Sequence, residues 1–339
     1  MQPFLDSTDA LTDGPELRRR MERDGYLFIK DLVPAPVLEA LRLQMLGIAH
    51  EDGWIQEGTP LEDALADLRG FSLEPEPAYM DVYHRMYLLP QFHILQHHPR
   101  LIDFFSRLLD GPVLPHPRLI GRVIFPQKEA FTSPAHQDFI PIQGTPDTYT
   151  AWIPLSALPP EMGGLEVAQG SHRQGVYEFQ PALGAGGLEI LEPFEGKWRG
   201  GPFAQGDVLF FHSLTPHRGA PNSSRALRLS LDARYQRADQ PIAPGSLQPH
   251  SPAMAWEEVY AGWPASWAEP MQYYWKKWDL EIKPYDNQYH ERRDELAMEL
   301  AQQGDARAYS TLQRIVARDS DPAKKQQAAE LLAKLEEKL

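Results

Sequence analysis

Apolar positions along the chain follow two periods, and the switch between them divides it. Residues 35–51, "APVLEALRLQMLGIAHE", place Val37, Leu38, Leu41 and Met45 at helical spacing. "PELRRRMERD", residues 15–24, predicts a shorter helix that opens on Pro15. The run "FHILQHHPRLIDFFSRLLDGPV" predicts a third, stopped by Gly111-Pro112. "GYLFIKDLV" between the first two predicts a strand, and residues 50–80, mixed and rich in Gly, Pro and acids, predict loops with helical turns. From about 113 to 236 the period shortens. "LIGRVIF", "TYTAWIPLSAL", "GLEVAQGSH", "GDVLFFH" and "ALRLSLDARY" are β-rich runs separated by Gly, Pro, Asn and Ser, the spacing of an antiparallel barrel or sandwich.

The C-terminal part differs again. Five of the eight tryptophans (Trp256, Trp263, Trp267, Trp275 and Trp278) fall in residues 251–283. They serve as packing for a helix against the β-core or as a wall over a pocket. Beyond Pro284 the chain turns charged and rich in Ala, Leu and Gln, and 305–339 predicts a helical hairpin. Its second helix is capped by Asp321 or Ser320, with Pro322 in its first turn and Leu331, Leu332 and Leu335 as its apolar stripe. It is similar to one unit of a HEAT-type repeat, and a single unit makes a packing or homo-oligomer surface rather than a solenoid. The division expected is 1–283 as one catalytic unit and 284–339 as a helical extension.

Charge and composition narrow the function. A net charge of -14 without a basic patch argues against nucleic acid and anionic membranes as partners. No run is apolar enough to span a bilayer, and the N-terminus lacks a signal-peptide pattern, so a cytoplasmic location is expected. With no cysteine in the chain, thiolate zinc sites and iron–sulfur clusters are excluded, and any metal must be held by His, Asp, Glu or water.

One candidate set meets that condition. In "SPAHQDF", His136 and Asp138 are two residues apart, so on a strand both side chains share a face. Two imidazoles and one carboxylate on one side of a metal make a mononuclear non-haem iron site with open positions for co-substrate and oxygen. "GDVLFFHSLTPHRGAPNSSRALRLSLDARY" offers His212 and His217 as the third ligand. His217 is the better placed, because it precedes "RGAPN" and a strand that brings Arg228 and Ser230 to the same region. The Arg228 fork suits the far carboxylate of a dicarboxylate co-substrate such as 2-oxoglutarate. His212 ends an apolar strand and reads as a supporting hydrogen-bonded residue. His93 and His97 share a helix face, but no metalloprotease glutamate follows His93. His116 and His172 receive no role. Arg118 and Arg122, near the entry to the barrel, reach substrate or co-substrate, or pair with the many acids.

The succession "HQD", "AW", "GG" before "GSH", and "FFH…H…PN…R", together with "RDGYLFIKDLVPAPVLEAL", resembles the phytanoyl-CoA dioxygenase family of Fe(II)/2-oxoglutarate oxygenases over roughly residues 15–240. Arg228 follows His217 by eleven residues, the interval the family uses, whereas His212 would stand sixteen away. The resemblance implies a mostly β core with flanking helices, a double-stranded β-helix (jelly-roll, cupin-like) barrel. It implies His136, Asp138 and His217 as iron ligands, Arg228 as the 2-oxoglutarate anchor and Trp152 beside the co-substrate. Gly163, Gly164 and Gly170 to His172 would form turns between barrel strands. Gly219 departs from the pattern, since relatives often carry Ser or Thr there. Ser230 and Arg122 are the stand-ins for the missing polar contacts. The activity implied is hydroxylation of a small organic molecule with O2, coupled to conversion of 2-oxoglutarate to succinate and CO2; halogenating relatives lack the carboxylate that Asp138 supplies. A cupin-like metal enzyme that makes no use of 2-oxoglutarate, or a non-catalytic binding protein, would share the barrel without needing Arg228. Residues 139–150 and the tryptophan-rich segment are expected to line the substrate pocket.

Overall fold

A computed structural model describes all residues except 75, 127–132, 183–187, 306–307 and 337–339. Its N-terminal helices follow local signals closely. Helix α1 (Gly14–Asp24) starts where the Asp13 side chain accepts the Glu16 N–H at 3.0 Å and ends at Gly25 with φ +77°. Strand β1 (Tyr26–Ile29) is shorter than the predicted run. In α2 (Ala35–Glu51) the buried face is Leu38, Leu41, Met45, Leu46 and Ala49; Val37 lies one step off that face and is exposed. The third expected helix is interrupted. It divides into α4 (Pro90–Ile94) and α5 (Pro99–Leu109), because Pro99 cannot continue the ladder and instead opens a new first turn. Between α2 and these lies α3 (Pro77–Tyr87).

The remaining strands are β2 (Val113–Pro115), β3 (Ile120–Ile124), β4 (Thr148–Pro154), β5 (Leu165–Ala168), β6 (Phe179–Pro181), β7 (Leu188–Ile190), β8 (Trp198–Arg199), β9 (Val208–His212), β10 (His217–Gly219) and β11 (Arg228–Arg237). Every pairing among these strands is antiparallel. The main sheet runs β1-β9-β4-β11-β2, with β3 also paired to β11; β10-β5-β8 form a second sheet and β6-β7 a ribbon.

The main sheet separates two environments. Leu229, Leu231, Ala233 and Tyr235 of β11 face the helices, where Tyr235 stacks on Phe105 at 3.8 Å and Phe210 of β9 on Phe104 at 3.9 Å. On the other face, Tyr26, Phe28, Trp152, Leu209 and Phe211 pack with Val167 of the second sheet and with Leu158 and Phe203. This inner face receives the alternate residues of β11, namely Arg228, Ser230, Asp232, Arg234 and Gln236. One strand thus carries an apolar face to the core and a polar face to the interior between the sheets.

The tryptophan-rich segment, with short helices α7 (Trp256–Tyr260) and α8 (Ala265–Met271), belongs to the helical side. Trp256, Trp263 and Trp275 are buried in the large core, and the indoles of Trp256 and Trp263 donate to Leu247 O and Leu88 O at 2.8 and 3.2 Å. Of the two readings of that segment, packing against the β-core is the one these contacts support.

Helices α9 (Asn287–Gln302), α10 (Tyr309–Arg318) and α11 (Pro322–Glu336) share a small core of their own around Leu312, Ile315, Ala328 and Leu335. Asp294 of α9, 1% exposed, joins all three through Arg314 and Lys324. Asp321 accepts the Ala323 N–H at the start of α11; residues 306–307 and 337–339 of this segment lie outside the described ones. Among the described residues, no helix is long and apolar enough to cross a membrane.

Candidate active site

The segment carrying His136 and Asp138 is not a regular strand. His136 forms a single antiparallel bridge with His217 of β10, the two residues exchanging backbone hydrogen bonds at 3.0 Å each way. Asp138 then stands as the N-cap of a short helix, α6 (Phe139–Ile142), in αR conformation. The shared face expected from strand alternation is reached by a bridge and a turn instead. His136, Asp138 and His217 are all buried, and one ligand atom from each lies within 4.8 Å of the others. His217 Nε2 is 4.0 Å from Asp138 Oδ1, and the imidazole centroids are 4.2 Å apart.

The imidazoles are set up as ligands. His136 Nδ1 contacts Pro134 O at 2.8 Å and His217 Nδ1 contacts Thr215 O at 3.1 Å. A carbonyl only accepts, so each Nδ1 carries the proton and each Nε2 keeps its lone pair. Burial, reinforced by His217, pushes His136 down to about 3, and burial also lowers His217 against the pull of Asp138. Both rings are therefore neutral at neutral pH, the form a metal needs. Burial alone would raise the Asp138 carboxyl, but Arg234 and the two histidines hold it well below the usual carboxylate range. Arg234 donates to Asp138 through Nη2 at 3.1 Å and Nε at 3.3 Å, and Thr150 donates its hydroxyl to Oδ2 at 2.5 Å. Two nitrogens and one ionised oxygen, convergent and buried, could hold Fe(II).

Farther along the inner face, Arg228 is 6% exposed. Its Nη1 reaches Ala220 O at 2.9 Å and Met162 O at 3.3 Å, while its Nε is buried without a partner. Among the described residues no carboxylate pairs with it, and burial together with the charge of Arg122 pushes it down to about 10. An orphaned donor on a desolvated cation fits an incoming carboxylate. Ser230 is the next inward residue. Trp152 is buried on the same side, its ring 4.9 Å from Phe203 and its backbone opposite Asp232. Arg122 also turns inward, but Glu74 and Asp232 already engage its guanidinium at 2.5 and 3.6 Å.

His212 faces away from the triad, with Asp147 at 3.5 Å and the Leu214 N–H on its Nδ1. His93 Nε2 donates to Tyr87 O, and His116 Nε2 donates to Gln236 Oε1. Gly163 is a turn residue by necessity: φ is +67°, and a Cβ would stand 2.4 Å from Pro221 O. Sequence reasoning missed Arg234 and Thr150. Both lay in plain alternation, one with Arg228 and Ser230 in "RLSLDAR", the other with Trp152 in "TYTAW".

A profile of the phytanoyl-CoA dioxygenase (PhyH) family matches residues 21–230. The chain is 27% identical over 263 residues to the 1-deoxypentalenic acid 11-beta-hydroxylase of Streptomyces exfoliatus, covering 70% of this chain and 86% of that protein. It is 24% identical over 247 residues to the human peroxisomal phytanoyl-CoA dioxygenase, covering 66% and 68% respectively. Among solved structures, the epimerase SnoN in complex with Fe3+ and alpha ketoglutarate aligns over 68% of this chain and 86% of its own, at 20% identity and a TM-score of 0.47. The chain belongs to the phytanoyl-CoA dioxygenase family, and it is an Fe(II)- and 2-oxoglutarate-dependent oxygenase.

Proposed function

We propose that His136, Asp138 and His217 hold the iron and that Arg228 anchors the far carboxylate of 2-oxoglutarate, with Ser230 beside it and Trp152 as a wall. The supporting observation is the pairing of two unfinished sites on one inner face: three convergent metal donors with free lone pairs, and a buried arginine with no acid among the described residues. When bound, iron and 2-oxoglutarate together supply an oxidant that hydroxylates a small organic substrate and leave succinate and CO2. The protein's part is positional. Pro134 and Thr215 carbonyls fix the imidazole tautomers, Arg234 and Thr150 fix the carboxylate, and burial keeps the interior dry. We read the paired sheets as a double-stranded β-helix within a catalytic unit of residues 1–283, and residues 284–339 as an extension.

The test is anaerobic titration of metal-free protein with Fe(II) and then 2-oxoglutarate, followed by the visible charge-transfer band of the chelate. The band should appear and be lost in His217→Ala. Iron binding without a band would favour a cupin-like enzyme that does not use 2-oxoglutarate, and failure to bind iron would refute the triad.

A further inference from the structure

Two arginines meet where the acids do not. Arg118 lies just before β3, and its Nη1 is 3.5 Å from both Gly245 O and Pro249 O. Arg318, the last residue of α10, brings its Nη2 to 3.3 Å from the same Pro249 carbonyl and 3.4 Å from Ser251 O. Two guanidinium cations thus share one carbonyl oxygen. Among the described residues neither has a carboxylate partner, in a chain with 47 acidic against 33 basic residues. Burial lowers Arg118, and burial together with the charge of Arg118 pushes Arg318 down to about 10, while each residue as a whole is only partly buried.

The place lies beside the Arg234 end of β11, close enough for Arg118 to feel the Arg234 charge, and Arg234 stands six residues along that strand from Arg228. His116, two residues before Arg118, contacts Gln236 at 2.8 Å, and its N–H donates to Arg234 O. Gln236 follows Arg234 on the polar face of β11, and Arg234 holds the metal-binding Asp138. His250, beside these groups, feels Arg118, Arg122, Arg234 and Arg318 together. Of those four cations, Arg122 is neutralised by Glu74 and Asp232, and Arg234 by Asp138. Arg118 and Arg318 are the two left over.

Resting on the oxygenase reading above, we propose that Arg118 and Arg318 are the substrate's anion clamp. The molecule oxidised carries a carboxylate or phosphate monoester, held across the metal from Arg228, and the C-terminal helices supply half of the clamp. The shared carbonyl holds both forks in place, so the anion arrives at a preorganised pair.

The experiment uses protein loaded anaerobically with Fe(II) and saturating 2-oxoglutarate, so that Arg228 is occupied. It is titrated calorimetrically with octanoate, 4-phenylbutyrate and octyl phosphate, beside octanamide, 4-phenylbutyramide and octanol. At least one anion should bind tenfold or more tightly than its neutral counterpart, and the stronger of octanoate and octyl phosphate identifies the head group. Arg118→Met and Arg318→Gln should each erase that preference while the chelate band stays unchanged. Arg318→Lys, which keeps the charge and loses the fork, should keep part of it. Equal binding of anions and neutrals, including none of either, overturns the proposal, as does a preference that survives Arg118→Met. If Arg318→Gln also loosens α11 in hydrogen exchange, Arg118→Met, outside the extension, decides. A wild-type protein without the chelate band sinks the oxygenase reading instead, and the same titration of metal-free protein still reports on the clamp.

Discussion

Replacing Arg228 with Met should move stability and co-substrate affinity in opposite directions. The guanidinium is 6% exposed and sits among carbonyls with no acid among the described residues, and its fall from 12.5 to about 10 corresponds to about 3 kcal/mol of cost for keeping the cation there. Met removes that cost. It also strips a donor from Ala220 O and Met162 O, which returns about 1–2 kcal/mol. The net expectation for the metal-free protein is a gain of about 1–2 kcal/mol, or roughly 2–4 °C in Tm. Co-substrate binding should lose two charge-assisted hydrogen bonds, about 3 kcal/mol and so roughly a hundredfold in Kd. Saturating 2-oxoglutarate stabilises wild type by about 2.7 kcal/mol at a hundred times its Kd, and the variant far less. The order of the two melting temperatures should therefore invert when Fe(II) and 2-oxoglutarate are added under argon. Differential scanning fluorimetry with and without the ligands, and titration of the chelate band, read both quantities. An unchanged 2-oxoglutarate affinity would show that Arg228 is not the anchor. A metal-free variant several degrees less stable than wild type would show that its charge is structural.

Three further outcomes follow from neighbouring geometry. Thr150→Val removes the hydroxyl on Asp138 Oδ2 and should weaken Fe(II) binding about tenfold, measured by anaerobic titration; an unchanged Kd would mean that Arg234 alone fixes the carboxylate. Gly163→Ala should destabilise by about 1–3 kcal/mol in urea unfolding, since it forces a side chain onto φ +67° against Pro221 O; an unchanged midpoint would contradict the close approach. The metal-free protein should lose stability as pH falls from 7 to 5. His116 and His136 are pushed by burial from 6.5 to about 3, so through that window the unfolded chain takes up protons that the folded one refuses, at a cost of about 2 kcal/mol each at pH 5. Asp232, lifted by burial to about 6, opposes this more weakly. A urea midpoint that stays flat between pH 7 and 5 would refute the assignment of neutral buried rings.

What could be read from residues alone, and what could not, turns on distance along the chain. That His136, Asp138 and His217 converge was legible because "HQD" and the histidine before "RGAPN" are local phrases, and Arg228 is tied to His217 by a short turn and one strand. The conformation that joins His136 to Asp138 was not, since an isolated bridge to His217 overrides the alternation that a continuous strand would impose. Val37 and Pro99 show the same limit on helices: spacing identifies an apolar face but not which neighbour covers it. The tryptophans were legible as packing, since an indole signals burial, but not as to which side of the sheet they cover. The largest omission, Arg234, is the most instructive. "RLSLDARYQ", residues 228–236, alternates polar and apolar residues for nine positions, and the usual inference assigns the polar set to solvent. Here Arg228, Ser230 and Arg234 are all buried. Buried polar residues on a strand require partners on the facing element, so the polar half of β11 dictates what must surround it: an acid for Arg234, which Asp138 provides, and an acid for Arg228, which none of the described residues provides and a dicarboxylate co-substrate would bring.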